Sequence, residues 1–301
     1  MSAMRREFLP ENWIAVYLRA FQSAMRELRL VFDAGRNQSN LTMAGTGDSR
    51  PASGVHAVVV MAKAPLAGAV KSRLAPPLAA EEAAELNRCF LRDLSATIER
   101  AIAIFASAHS GRAAGLIAYT PAGAESAFDG VAPPAFRLIA QRGENLTARL
   151  IGVCEDLFAA GHASVTLMNS DSPTLPARIL VSALTAMNRA ADRLAIGGAE
   201  DGGYCLIGLK QTHRRIFEQI TWSTALVYRE TLERAAEIGL EVAELERWYD
   251  VDDAAALRRL EAELFDQDAR VRRGDPAPAT RAYLEFLRAK RRAGESGSKF
   301  E

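Results

Sequence analysis

The chain has 301 residues, 49% hydrophobic and 25% charged, a composition that suits a globular protein and excludes a disordered or fibrous one. Lys plus Arg and Asp plus Glu number 37 each, so no charge surplus points to nucleic acid, and no run approaches the ~20 apolar residues of a membrane span. Cys89, Cys154 and Cys205 lie far apart without metal-ligand spacing, and the N-terminus has no apolar core leading to a small-residue cleavage site; a soluble protein of the reducing cytoplasm is expected.

Trp13 to Phe32 predicts a helix with an apolar face formed by Ile14, Leu18, Phe21, Met25, Leu28 and Phe32. Asn37 to Gly54 (NQSNLTMAGTGDSRPASG) has linker composition. Residues 1–54 are therefore expected to be an N-terminal helix plus flexible linker, residues 55–270 the main domain, and residues 271–301 a C-terminal helix and polar tail. From Val55 onward short apolar runs alternate with longer helical segments. HAVVVMAK (His56–Lys63) is a β-branched run ending in a Pro/Gly loop, as a buried parallel strand would be. Helix follows over about Ala80–Ile104, then strands over Gly115–Thr120 and Phe136–Gln141. A helix over Asn145–Ala159, a strand over Ser164–Asp171 and a helix over Ala177–Arg189 come next. LAIGGA and YCLIGL flank a turn at Glu200–Gly203. The chain continues as helix (Thr224–Ile238), short strand (Leu240–Leu245) and helix (Asp253–Asp266). This alternation predicts an α/β fold with a mainly parallel central sheet, whose ligands sit beyond the carboxyl ends of the strands.

Four charged motifs fall at those strand ends. KAPLAGAVKSRL (Lys63–Leu74) is an irregular loop with Lys63, Lys71 and Arg73 close together; loop amides beside a helix start, with these cations, would cradle phosphate oxygens. A solvated basic turn has the same composition, but the position after a buried strand favours the phosphate role. The loop is neither GxxxxGK[ST] nor GxGxxG. In NSDSPTLP (Asn169–Pro176), Asp171 closes a strand and could hold a hard divalent cation, while Ser172 or Thr174 would cap the next helix. In EDGGY (Glu200–Tyr204) a tight hairpin explains Gly202 and Gly203 but not two adjacent acids. In WYDVDD (Trp248–Asp253), Asp250 and Asp252 share one side of an extended segment, and Asp253 is the natural cap of the following helix.

This ordered series, together with WST at Trp222–Thr224, resembles the DUF2064 family, a glycosyltransferase A-like group within the nucleotide-diphospho-sugar transferase superfamily. The likeness runs from about Val55 to Leu264, roughly two thirds of the chain. AVKSRLAP is also similar to the nucleotide loop of the 2-phospholactate guanylyltransferases. The resemblance implies a three-layer GT-A-like nucleotide-diphospho-sugar transferase fold. It further implies a metal-dependent transferase taking a nucleotide or nucleotide-sugar, a small-molecule acceptor and Mg²⁺ or Mn²⁺, with no nucleic-acid or membrane partner. By that likeness Lys71 and Arg73 would contact the nucleotide phosphates and Asp171 would bind the metal; Ala62, Lys63, Pro65, Gly68, Ser170, Gly202 and Gly203 are the further nucleotide-binding candidates, Asp252 the further metal candidate, and Lys71, Arg73 and Asp201 the catalytic candidates. DSP stands here where a DxD element would be, so the second acid must come from elsewhere, with Asp201 and Asp252 the candidates. Glycosyl transfer leads; transfer of a nucleoside monophosphate to a phosphorylated acceptor, and nucleotide binding without turnover, are the alternatives.

Overall fold

The computed structural model describes residues 54–266 and 272–297, with side chains to residue 293; the expected helix at Trp13–Phe32 and most of the linker lie outside the described residues. Seven strands, β1 (Val55–Lys63), β2 (Arg112–Thr120), β3 (Arg137–Ala140), β4 (His162–Met168), β5 (Arg193–Ala199), β6 (Tyr204–Leu209) and β7 (Glu241–Trp248), form one sheet in the order β3-β2-β1-β4-β6-β5-β7. β1 runs parallel to β2 and β4, β2 to β3, and β5 to β7; β6 is antiparallel to both its neighbours. The α/β fold with a mainly parallel sheet is thus as the alternation of elements predicts. β1 sits centrally because Ala57–Val60 is apolar on both faces and is buried on both.

Among the described residues six α-helices accompany the sheet: α1 (Ala80–Ala108), α2 (Leu146–Ala159), α3 (Ala177–Met187), α4 (Val227–Glu237), α5 (Ala254–Phe265) and α6 (Pro278–Gly297). α1 buries Leu86, Phe90, Leu94 and Ile98, four residues apart along one face, and packs against α3 and α6. On the other face α2 and α4 cover a core that includes Leu116, Leu150, Val165, Leu167, Ile196 and Phe217. α6 docks through buried Tyr283, Leu284 and Leu287. Its first amides, Ala279 and Thr280, donate to the buried carboxylate of Asp93 on α1 at 3.0 and 2.8 Å. The C-terminal helix is therefore packed on the body of the domain.

Three elements near the site differ from expectation. The basic loop does not run straight into a helix. Ser72–Leu74 is a single 3₁₀ turn, and α1 begins only at Ala80, because Pro76 and Pro77 lack amide donors and keep the preceding residues out of helix. β4 stops at Met168, so Asp171 stands three residues beyond the strand. β7 also runs on to Trp248; its Glu241, Glu244, Glu246 and Arg247 suit an edge strand but mask its pattern.

Candidate active site

The strand directions bring the loops after β1, β4 and β7, and the β5–β6 turn, to one edge of the sheet. The basic loop is anchored by buried Val70 and Leu74, and between them Lys71 adopts a left-handed backbone (φ 50°). Its side chain is 4% exposed and lies over the Phe90 ring, 5.3 Å from its centroid. The ammonium reaches Asp171 Oδ1 (2.5 Å), the Val251 carbonyl (2.7 Å) and Asp252 Oδ1 (3.1 Å). The contacts with Val251 and Asp252 are hydrogen bonds, and that with Asp171 is an ion pair. Arg73 is 72% exposed and donates to Asp252 Oδ2 at 2.8 Å, leaving the rest of its guanidinium at the mouth of the pocket.

The other loops are tied to this cluster through their backbones. Val251 N–H donates to the Asp171 carbonyl (2.8 Å), fixing the β4 exit to the β7 exit, and Asn169 N–H donates to Cys205 O (3.0 Å). Asp201 Oδ1 accepts from Gly203 N–H at 2.8 Å and so shapes the β5–β6 turn. Gly202 has φ +92°, and a Cβ there would meet the Ala225 carbonyl oxygen at 2.4 Å. Its carbonyl accepts from Tyr228 N–H (2.8 Å). Glu200 turns away to pair with Arg259, which holds its carboxyl below the usual range. Asp253 caps α5 through the amides of Ala255 and Ala256 (2.9 and 2.8 Å), as its sequence position predicts.

Two pockets result. The first, about 360 Å³, is lined by Ala62, Lys63, Lys71, Arg73, Ser170, Asp171 and Asp252 from the predicted set. It also takes Asn87, Thr120, Gln141 and Arg149, which sequence reasoning missed. Gln141 stands at the end of a recognisable strand, a signal that could have found it; Asn87 and Arg149 lie on helices and carry no local signature. The second, about 290 Å³, shares Met61, Leu146 and Asp171 with the first and adds Asp201, Gly203, Tyr204, Trp222 and Asp250. Pro65, Gly68 and Gly202 line neither pocket: Pro65 is buried under the loop, Gly68 sits at its exposed bend (φ +76°), and Gly202 shapes the turn. Trp222 was visible in the WST motif without a role. Asp250 is pushed up to about 6, first by burial and then by the neighbouring charges of Asp201, Asp252 and Asp171. Cys205 is a buried thiol pushed up to about 12 by desolvation, hence inert.

With this geometry established, comparison with known proteins is informative. A solved structure of a candidate nucleotide-diphospho-sugar transferase from Desulfovibrio desulfuricans G20 is 30% identical, covers 78% of this chain and 95% of that one, and superposes with a TM-score of 0.65. The chain belongs to the DUF2064 family, within the nucleotide-diphospho-sugar transferase superfamily. The profile of that family, described as an uncharacterized protein conserved in bacteria (DUF2064), matches residues 103–224. More distant structures include CMP:2-keto-3-deoxy-manno-octonic acid synthetase complexed with CTP, at 15% identity, 69% and 97% coverage of the two chains and a TM-score of 0.42. Rv0371c from Mycobacterium tuberculosis H37Rv, in complex with manganese, shows 17% identity, 69% and 97% coverage and a TM-score of 0.42. No curated protein matches the chain. Among the described residues of this DUF2064 protein, no three His, Cys, Asp or Glu side chains converge as a ready-made metal cage, and no helix is long and apolar enough to cross a membrane.

Proposed function

We propose that this protein is a metal-dependent transferase of the glycosyltransferase type that binds a nucleotide or nucleotide-sugar in the first pocket. The observation that carries the reading is a basic pocket at the carboxyl edge of the sheet that adjoins an acidic, aromatic one through Asp171. Lys63, Arg73 and Arg149 supply charge for phosphate oxygens. Lys71 pairs with Asp171 and Asp252 and donates to the Val251 carbonyl, which holds the two acids in register.

The acids fit Mg²⁺ or Mn²⁺ bound by one or two carboxylates together with nucleotide oxygens, the usual arrangement for Mg²⁺. Asp171, Asp201, Asp250 and Asp252 are answered by two paired cations, Lys71 and Arg73; among the described residues no basic side chain pairs with Asp201 or Asp250. Asp171 would be the first ligand. Asp252 has an oxygen on each of Lys71 and Arg73, so it would bind the ion through its remaining lone pairs. Such an ion neutralises phosphate charge and so favours departure of the nucleoside diphosphate. In the transfer an acceptor hydroxyl oxygen bonds to the anomeric carbon while the carbon–oxygen bond to the phosphate breaks, its electron pair leaving with the nucleoside diphosphate. The hydroxyl proton passes to a carboxylate, for which Asp201 is the candidate. Nucleotidyl transfer is the second reading. Arg73 favours it, since an exposed guanidinium at the pocket mouth could hold a departing pyrophosphate.

The test is a melting-temperature screen of the full chain with nucleoside triphosphates and nucleotide-sugars, with and without Mn²⁺. A true ligand at 100 times its Kd adds ~2.7 kcal/mol. The metal-dependent part should vanish in Asp171→Asn. Product analysis then separates the readings, nucleoside diphosphate from pyrophosphate. No shift with any nucleotide at millimolar concentration overturns the proposal.

A further inference from the structure

We infer that the second pocket takes the acceptor, and that the acceptor is a small uncharged or amine-bearing polyol rather than a phosphorylated one. The inference rests on the nucleotide occupying the first pocket and deepens that reading. The cavity lies between the β4 exit, the β5–β6 turn and the segment leading into α4, and its volume of about 290 Å³ corresponds to roughly ten water-sized groups, the scale of one sugar ring. Its polar lining includes Asp171, Asp201 and Asp250, and its apolar walls include Leu150, Tyr204 and Trp222. Among the described residues no lysine or arginine lines it, whereas Lys63, Lys71, Arg73 and Arg149 all line the first.

That division selects chemistry. Ionised carboxylates only accept hydrogen bonds, so the occupant must donate them, through hydroxyl or ammonium groups. A phosphate monoester would bring two negative charges against Asp201 and Asp250, which among the described residues have no ion-pair partner, and is rejected by like charge. The aromatic wall is fixed by specific contacts. Trp222 Nε1–H donates to Thr147 Oγ1 (2.8 Å), and the indole meets the Tyr204 ring edge-on at 6.4 Å. An aromatic wall beside acceptors suits a molecule that presents C–H surface and hydroxyls together.

The experiment is saturation-transfer difference NMR on the full chain with Mg²⁺ and a saturating nucleoside diphosphate, using matched probes: glucose against glucose 6-phosphate, glycerol against glycerol 3-phosphate, and glucosamine. The unphosphorylated member of each pair should bind at least tenfold more tightly. Trp222→Ala should weaken that binding about tenfold with nucleoside diphosphate affinity held within twofold, and Trp222→Phe should retain most of it. Stronger binding of the phosphorylated members, binding by neither class, or indifference to Trp222→Ala overturns the inference while leaving nucleotide binding intact. If the nucleoside diphosphate itself does not bind, the proposed function falls and takes this inference with it. Retained nucleotide binding in the variants shows that they fold.

Discussion

The two pockets share Met61, Leu146 and Asp171, yet they handle charge in different ways. In the first, acids and bases are matched: Asp171 and Asp252 are bridged by one buried ammonium, and Arg73 closes the outer side. In the second, Asp201 and Asp250 have no basic partner among the described residues, and Asp250 is raised by burial and by its acidic neighbours. The difference shows how one sheet edge can serve two kinds of group. Matched charge organises the first pocket ahead of the nucleotide proposed for it, while unmatched charge in the second leaves a demand that a donor-rich ligand or a cation would meet.

The largest effect should come from breaking the matched side. Lys71→Met removes the ammonium from between two carboxylates that are only about a third exposed. Losing one partner of a fully buried pair costs ~3–5 kcal/mol; the partial exposure of the acids puts this case nearer about 3 kcal/mol. Urea unfolding would measure it, and nucleotide binding should disappear with it. An unchanged denaturation midpoint would mean that the acids find other partners and that Lys71 is not their organiser.

The turn that shapes the unmatched side comes next. Gly202→Ala must either adopt a strained positive φ or push the Ala225 carbonyl aside, at a cost of roughly 2 kcal/mol. Because Tyr228 N–H binds the Gly202 carbonyl, the disturbance should reach the start of α4 and the wall of the second pocket. Binding of unphosphorylated probes should suffer more than binding of nucleotide; equal losses in both would contradict the separation of the pockets.

Arg73→Ala probes the exposed cation alone. Stability should change by less than ~0.5 kcal/mol, since the side chain is largely in solvent, while nucleotide affinity falls by about 1.5 kcal/mol through loss of a charge-assisted phosphate contact. Isothermal titration would read it. Unchanged affinity would remove Arg73 from the phosphate site.

Lys71 and Arg73 are indistinguishable in the sequence: two cations, two residues apart, in one loop. The structure separates them because Val70 and Leu74 fix the loop, turning Lys71 inward to meet acids about 100 and 180 residues away. No local pattern carries that information. What was legible is what local physics controls. The β-branched run of β1, the cap at Asp253 and the alternation behind the parallel sheet can be read from neighbours in sequence. The carboxyl-edge rule then brings Asp171, Asp201 and Asp252 to the same region, as expected. Asn87 and Arg149 were hidden for the opposite reason: each is one polar residue on a helix, and only tertiary packing turns it into a pocket wall.

A third kind of acid sharpens the comparison with the smallest effect. Asp93 is buried and, unlike Asp171 and Asp252, is met by backbone amides of α6 rather than by an ammonium. Burial pushes its carboxyl up to about 7, with the Thr280 and Ala279 contacts pulling in the other direction. The native state therefore holds this proton to higher pH than the unfolded chain, whose Asp titrates near ~3.9. Where the native state binds more protons, stability falls as pH rises. The contribution of Asp93 is greatest in acid, declines from about pH 4 and levels off above pH 7. Most of the last part of that decline, on the order of 1 kcal/mol, falls between pH 6 and 8. Asp93→Asn cannot titrate, so the difference in unfolding free energy between the natural protein and this variant isolates the effect from every other carboxylate. The natural protein should lose ground to the variant between pH 6 and 8. A difference that stays flat, or moves in its favour, would mean that the two amides and the start of α6 hold Asp93 ionised despite its burial, making it an acid matched by a helix end as Asp171 is matched by Lys71.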